Sequence, residues 1–171
     1  MLRRTIYIVI GVIGGVIGVA GMVALIGWAL PVKHTASRTV TLNAPPQQVF
    51  DLMSDFAHAA AWRDGVTRIE MLPDDGKGPL FREYGSMGPM LMRAEVIERP
   101  HRLVTRIADP ELPFGGTWTH TLRPAPSGGT EHTITEDGEI YNVFFRALAR
   151  FIFGYTSTIE QYQTSLAKRL G

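Results

Sequence analysis

"TLNAPPQQVFDLMSDFAHAAAW", residues 41–62, joins an alternating strand to a helix through two adjacent prolines. Val40 and Leu42 alternate with Thr39 and Thr41, the period of two that marks a strand with one face in a core. Asn43 ends the alternation. Pro45 and Pro46 suit a first helical turn, where the N–H that proline lacks would have no intrahelical partner anyway. Val49, Phe50, Leu52, Met53 and Phe56 give that helix an apolar face, and Asp55 is placed to cap a second short helix, "FAHAAAW". Gln47 and Gln48 read as solvated.

Downstream the period returns to two. "VTRIEMLP", "GPLFREYGSM", "PMLMRAEVIERP", "HRLVTRIAD", "GGTWTHTLRP" and "GTEHTITEDGEI" read as strands. They are separated by the turn signals "PDDGKG", "MGP", "ERPH", "DPELPFGG" and "APSGG". With the strand before the prolines they predict a seven-stranded antiparallel sheet. The chain then predicts one long helix from Asn142 to Leu170. Phe144, Leu148, Phe151, Tyr155, Ile159, Tyr162, Leu166 and Leu170 recur every three or four residues. Arg146, Arg150, Glu160, Gln161 and Lys168 are expected off that stripe, and Gly154 is a candidate bend.

Upstream, residues 5–32 carry no charge and are mostly Ile, Val, Gly, Ala and Leu. A bilayer span needs about 20 such residues. Tyr7 and Trp28 stand near its ends, as interfacial aromatics do, and Pro31 is a plausible stop. A cleaved signal peptide is the rival, but its apolar region runs about 7–15 residues, well short of this one. Arg3 and Arg4 favour a cytoplasmic amino terminus with the domain outside the cytoplasm, a preference weakened by Lys33 and Arg38. Gly11, Gly14, Gly15, Gly18 and Gly21 fall three and four apart, a flat stripe on which a second helix can pack to form a homodimer. The organisation expected is a transmembrane anchor over 1–31, a linker over 32–37 and one domain over 38–171.

Seventeen basic and 16 acidic residues give a net charge of +1, with no Lys/Arg run to track a phosphate backbone, so no nucleic-acid partner is expected. Cysteine is absent, which excludes disulfides, thiolate metal sites and a cysteine nucleophile. The five histidines form no HxH or HxxxH pair, and no metal or other cofactor is expected.

The order strand, two short helices, six antiparallel strands and a long C-terminal helix resembles the START-like (SRPBCC) superfamily. The likeness rests on "APPQQVFDLMSDFAHAAAW", "GGTWTHTLRP", "GTEHTITEDGEI" and the helical tail ending "SLAKRLG", and is greatest to the polyketide cyclase/dehydrase-type branch. It implies an α+β helix-grip fold, with the sheet wrapped around the C-terminal helix and a deep, mainly apolar cavity between them. Members of that superfamily bind lipids, sterols, polyketides or other hydrophobic molecules there, and only some catalyse, so fold alone does not settle function.

Alternation sorts the last two strands into faces. Trp118, His120 and Leu122 share one face, and His132, Ile134 and Glu136 share one face of the next strand. A hairpin centred near Ser127 sets Trp118 opposite Glu136 and Leu122 opposite His132. That register gathers His120, His132 and Glu136 on one cavity wall, where a carboxylate beside an imidazole is a candidate acid–base pair. The bland reading is that these groups satisfy neighbours or orient a ligand. Glu83 and Tyr84 face opposite ways, so at most one points inward. Arg93 and Glu95 read as outward, with Met90, Met92, Ala94 and Val96 inward. Met87, Met90 and Met92 would give a soft lining, and Phe144, Leu148, Phe151 and Tyr155 would line the cavity from the helix. Ordinary core packing has the same composition. Phe145 and Phe153 lie off the helix stripe, where a cavity edge, the bilayer or the loop "DPELPFGG" would each suit them.

Three functions follow as expectations. The first is membrane-anchored, non-catalytic binding of a hydrophobic small molecule or lipid. The second is a cyclase or dehydratase using the His/Glu groups. The third is an interaction module working through the membrane helix without a ligand.

Overall fold

The computed structural model of the protein describes residues 2–73 and 75–171. The apolar N-terminal segment is one helix, α1 (Leu2–Ala29), and β1 (Lys33–Leu42) follows after three residues. The sequence expected a linker over 32–37. Instead the strand starts at Lys33, because Lys33 to Ser37 pair with Glu139 to Thr135 in the same ladder as the rest of β1. α2 (Pro46–Ser54) begins on Pro46, with Pro45 extended before it, and buries Val49, Phe50 and Met53. A 3-10 turn (Phe56–Ala61) follows. Asp55 does not cap it, since its carboxylate meets the His58 ring instead.

Six strands come next: β2 (Val66–Met71), β3 (Leu80–Gly85), β4 (Gly88–Glu98), β5 (Arg102–Ile107), β6 (Phe114–Pro124) and β7 (Thr130–Ile140). They form one antiparallel sheet in the order β1-β7-β6-β5-β4-β3-β2, so the first strand closes against the last. A bulge between Ala94 and Val96 reverses which residues of β4 face the core. Beyond it Ile97, rather than Val96, pairs with the inward Leu103.

The single long helix does not form. α3 (Val143–Leu148) continues into a π-helical turn (Ala149–Phe153), the chain breaks at Gly154, and α4 (Ser157–Leu170) is a separate helix. Gly154 has φ 74° and ψ 162°, a region open essentially to glycine alone. Asn142 caps α3, its side-chain oxygen accepting from the N–H groups of Phe144 and Phe145 at 2.9 and 3.2 Å.

α4 lies on the concave face of the sheet. Ile159, Tyr162 and Leu166, spaced three and four apart, are buried there with Phe50, Leu42, Leu103, Leu122 and Ile134. Truncating any one of the fully buried aliphatic side chains would cost about 2–5 kcal/mol. Gln163 ties the layers together, its amide donating to the carbonyls of Arg38 and His132.

α3 packs along α1 instead of on the sheet. Among the described α1 residues only Val23, Ala24 and Gly27 are not exposed. A Cβ on Gly27 would overlap the Val143 carbonyl. Arg146, expected outside, is buried at this seam, where its guanidinium donates to the carbonyls of Leu30 and Tyr141 at 2.8 and 3.4 Å. The stripe Gly11, Gly14, Gly15, Gly18 and Gly21 is open, with nothing within 4 Å of a Cβ built on any of them. α1 is long and apolar enough to cross a membrane.

Candidate functional site

The inward-facing residues of β6 and β7 meet in the register expected of a hairpin centred near Ser127, with Trp118 opposite Glu136 and Leu122 opposite His132. The three candidate acid–base groups do not form one cluster. They divide into two, set by depth beneath the helices.

The deeper group is a histidine pair. His120 and His132 are 2% and 0% exposed. His120 Nδ1 lies 3.1 Å from His132 Nε2 with the rings stacked. Tyr162 from α4 covers both, with ring centroids 5.1 Å from His120 and 6.4 Å from His132. Burial disfavours the charged imidazolium, so His132 is pushed down to about 4. His120 is lowered well below its ordinary value, first by burial and then by the charges of His132 and Arg63. His132 Nδ1 has no hydrogen-bond partner. An orphaned buried N–H is rarer than an orphaned lone pair, which assigns the shared proton to His132 Nε2, donating to His120 Nδ1.

The shallower group surrounds Glu136. Trp118 Nε1 donates to its Oε2 at 2.8 Å, and His34 Nε2 lies 3.3 Å from its Oε1. The His34 ring stacks on Tyr155 at 4.0 Å and lies over Gly138, where a Cβ would meet the imidazole. Glu136 and His34 are only partly buried. The sequence reading missed His34 because it fell in the supposed linker. The available signal was the alternation of His34, Ala36, Val40 and Leu42, interrupted by the inward-set Arg38, which at this edge strand reaches Glu160.

A second missed element is an ion pair. Of Glu83 and Tyr84, Glu83 is the inward one. It is 5% exposed and takes two hydrogen bonds from Arg63, at 2.6 and 3.1 Å. The Arg63 guanidinium lies 5.1 Å from the Tyr162 ring centroid. Burial raises the Tyr162 hydroxyl above its ordinary range.

Met90 and Met92 face the concave side, paired with the inward Glu83 and Phe81, and both are half-buried. Met87 is at the β3–β4 turn and exposed, so it lines nothing. Phe144 and Phe151 are also exposed, because the helix breaks at Gly154 and α3 packs on α1 instead of continuing α4 over the sheet. Leu148 is half-buried in α3. Of the four expected helix-side lining residues, Tyr155 alone reaches the concave group, through His34.

Exposure along the concave face is graded. Beneath α4, Leu103, His120, Leu122, His132 and Ile134 are fully covered. Met90, Met92, Thr105, Ile107, Trp118 and Glu136 point to the same side and stay half-buried. Two hollows, of about 310 and 420 Å³, lie at the α1 end of the sheet. The first is lined by Lys33, His34, Thr35, Thr117, Asp137 and neighbours, the second by residues 106–110, Gly115, Gly116 and Tyr141. No group of three or more metal-ligating side chains occurs among the described residues.

A sequence profile described as "Polyketide cyclase / dehydrase and lipid transport" matches residues 33–169. Solved structures share the fold. A START superfamily protein from Mycobacterium smegmatis is 17% identical, with a TM-score of 0.64, covering 80% of this chain and 97% of that one. The Zhui aromatase/cyclase from Streptomyces sp. R1128 is 11% identical, with a TM-score of 0.65 and coverage of 81% and 93%. Norcoclaurine synthase from Thalictrum flavum is 10% identical, again with a TM-score of 0.65 and coverage of 81% and 93%. No curated protein matches the chain significantly.

Proposed function

The chain belongs to the polyketide cyclase/dehydrase and lipid transport family, and from that premise we propose that it binds a hydrophobic small molecule or lipid on the concave face of its sheet, beside the membrane that α1 enters. Arg3 and Arg4 would keep the amino terminus cytoplasmic and the domain on the other side. The observation that carries the reading is the half-buried concave strip of Met90, Met92, Thr105, Ile107 and Trp118, continuous with the closed core under α4. It is apolar along most of its length and ends in a polar group, Glu136 with His34. Most of the contact area is then non-directional, and a few fixed hydrogen-bonding atoms orient the ligand.

We read the binding as non-catalytic. The two imidazoles best placed for proton transfer are buried behind Tyr162, bonded to each other and held neutral. A general base needs hydrogen-bond reach to its substrate, and neither ring offers it in this arrangement.

The test is native mass spectrometry and solvent extraction of the full chain purified in a mild detergent, followed by titration with a fluorescent fatty acid. Co-purification or saturable binding, weakened by Met92→Glu, is expected. No bound or bindable apolar compound would sink the reading.

A second reading is favoured by one observation. Glu136 and His34 form a partly exposed carboxylate–imidazole pair at the open end, which suits acid–base chemistry on a bound aromatic or polyketide-like substrate. Turnover of such a substrate that Glu136→Gln abolishes while fatty-acid binding persists would select this reading over the first.

A further inference from the structure

We propose that residues 143–153 are a second membrane-contacting element, lying in the interfacial layer of the bilayer beside the end of α1. The inference rests on the reading of α1 as a membrane span and extends it to a part of the folded domain.

The segment reads "VFFRALARFIF". Its inner side faces α1, with Val143 over Gly27 and the Arg146 guanidinium bound to the Leu30 carbonyl. Among the described residues nothing covers its other side. After Val32, the exposed large apolar side chains among the described residues include Met71, Met87 and Ile97, which occur singly along the chain. The rest are Tyr141, Phe144, Phe145, Phe151, Ile152 and Phe153, in one run. Phe151, Ile152 and Phe153 are each more than 60% exposed. A soluble surface rarely carries a continuous apolar patch of this kind without a partner.

Three observations make lipid the occupant. The patch adjoins α1, whose exposed Leu25, Ile26 and Trp28 flank Gly27, the residue on which α3 packs. A cover made of protein would have to extend onto the surface of the membrane helix itself. Depth agrees as well. The 28 residues of α1 span about 42 Å at 1.5 Å each, against a hydrocarbon core of about 30 Å. The surplus places the last turns of α1, with α3 lying on them and the π-helical turn that continues it, at headgroup level. Charge placement suits that level. The two terminal nitrogens of Arg146 donate to backbone carbonyls, and exposed Arg150 is available to lipid phosphates. Phenylalanine and isoleucine on one side with arginine at the border is the composition of an interfacial helix.

The consequence is orientation. β1 starts three residues after α1, and its ten residues run about 33 Å away from it. A docked segment holds the α1 end of the sheet, with His34 and Glu136, against the bilayer, and keeps α2 far from it. An apolar ligand then reaches the concave strip from the lipid side.

The chain has no cysteine, so single-cysteine labelling needs no background removal. Full-length Phe145→Cys, Phe151→Cys and Phe153→Cys, each carrying the NBD fluorophore, would be placed in vesicles of phosphatidylcholine and phosphatidylglycerol. Ile13→Cys reports the middle of α1, and Gln48→Cys reports the far end of the domain. Lipids with a nitroxide near the headgroup or deep in the acyl chain serve as quenchers, and circular dichroism checks that each variant is folded. The expected result is blue-shifted NBD emission at 145, 151 and 153, quenched more by the shallow nitroxide than the deep one. Ile13→Cys should show the reverse order, and Gln48→Cys no quenching. If 151 and 153 behave as Gln48→Cys does while Ile13→Cys is quenched by the deep label, the anchor stands and this proposal falls. Blue-shifted emission at 151 and 153 that neither lipid quenches would mean a protein cover and would also overturn it. If Ile13→Cys is unquenched too, the anchor reading fails with it.

Discussion

His120 and His132 sit diagonally across the β6–β7 ladder, with Nδ1 and Nε2 3.1 Å apart and their rings within 4° of parallel. Two neutral imidazoles thus share one proton under Tyr162, at the centre of the concave face. The pair gives stability a pH dependence. Both rings have folded-state values below the ordinary 6.5, with His132 at about 4. The unfolded chain therefore binds more protons than the native one between those limits. Stability is complete above about pH 6.5 and falls as pH drops toward 4, by up to about 1.4 kcal/mol per pH unit for each group. The urea midpoint of the full chain in detergent should fall between pH 7.5 and 5. In His120→Leu/His132→Leu that slope should flatten, and an unchanged slope would refute the assignment.

The same pair should be strongly coupled. His120→Leu leaves His132 buried with neither nitrogen bonded, at a cost of about 1–3 kcal/mol beyond any change in packing. The double variant removes the stranded group, so its loss should be smaller than the sum of the two single losses. A double-mutant cycle on unfolding midpoints measures this, and simple additivity would contradict it.

Partly exposed Arg63 and buried Glu83 form an ion pair on this face. Removing one partner leaves an uncompensated charge, so Arg63→Ala should destabilise by about 3–5 kcal/mol. Replacing both by apolar residues of similar size should cost much less. The Arg63 charge also lowers His120. In Arg63→Gln the His120 value should therefore rise, read by NMR titration of its ring protons.

Gly27 lies directly on the Val143 carbonyl. Gly27→Ala would push α3 off α1. Amide hydrogen exchange over Val143–Leu148 should then accelerate, while β6 and β7 keep their protection. Unchanged exchange in α3 would show that the seam does not depend on this contact.

Gly154 holds φ 74° and ψ 162°, where a side chain is strained. Gly154→Ala should cost about 1–3 kcal/mol, seen as a lower thermal midpoint. An unchanged midpoint would mean the break tolerates an ordinary residue.

Much of this architecture was legible because it is written in short-range chemistry. The prolines at 45 and 46 mark the helix start, strand alternation yields the inward faces, and a hairpin centred near Ser127 yields the register of Trp118 with Glu136. Alternation cannot tell which inward groups meet. It grouped His120, His132 and Glu136, whereas Glu136 takes its partners from Trp118 and from His34, a residue on a strand about one hundred positions away in the chain. The C-terminal helix was misread for a related reason. Helical periodicity continued through "VFFRALARFIFGYTS", but periodicity does not reveal which surface an apolar face will cover.

Hydrophobic period and turn residues within a few positions fix the apolar N-terminal helix, the seven strands and the inward residues of β6 and β7, whereas the pairing of β1 with β7 does not follow from them. The tertiary structure decided three matters. It split the acid–base candidates into a fully buried pair and a partly buried group around Glu136. It broke the last helix at Gly154. It placed α3 (Val143–Leu148) on α1 rather than over the sheet. All three depend on contacts between residues distant in the chain, where packing space and the desolvation of polar groups outweigh local preference.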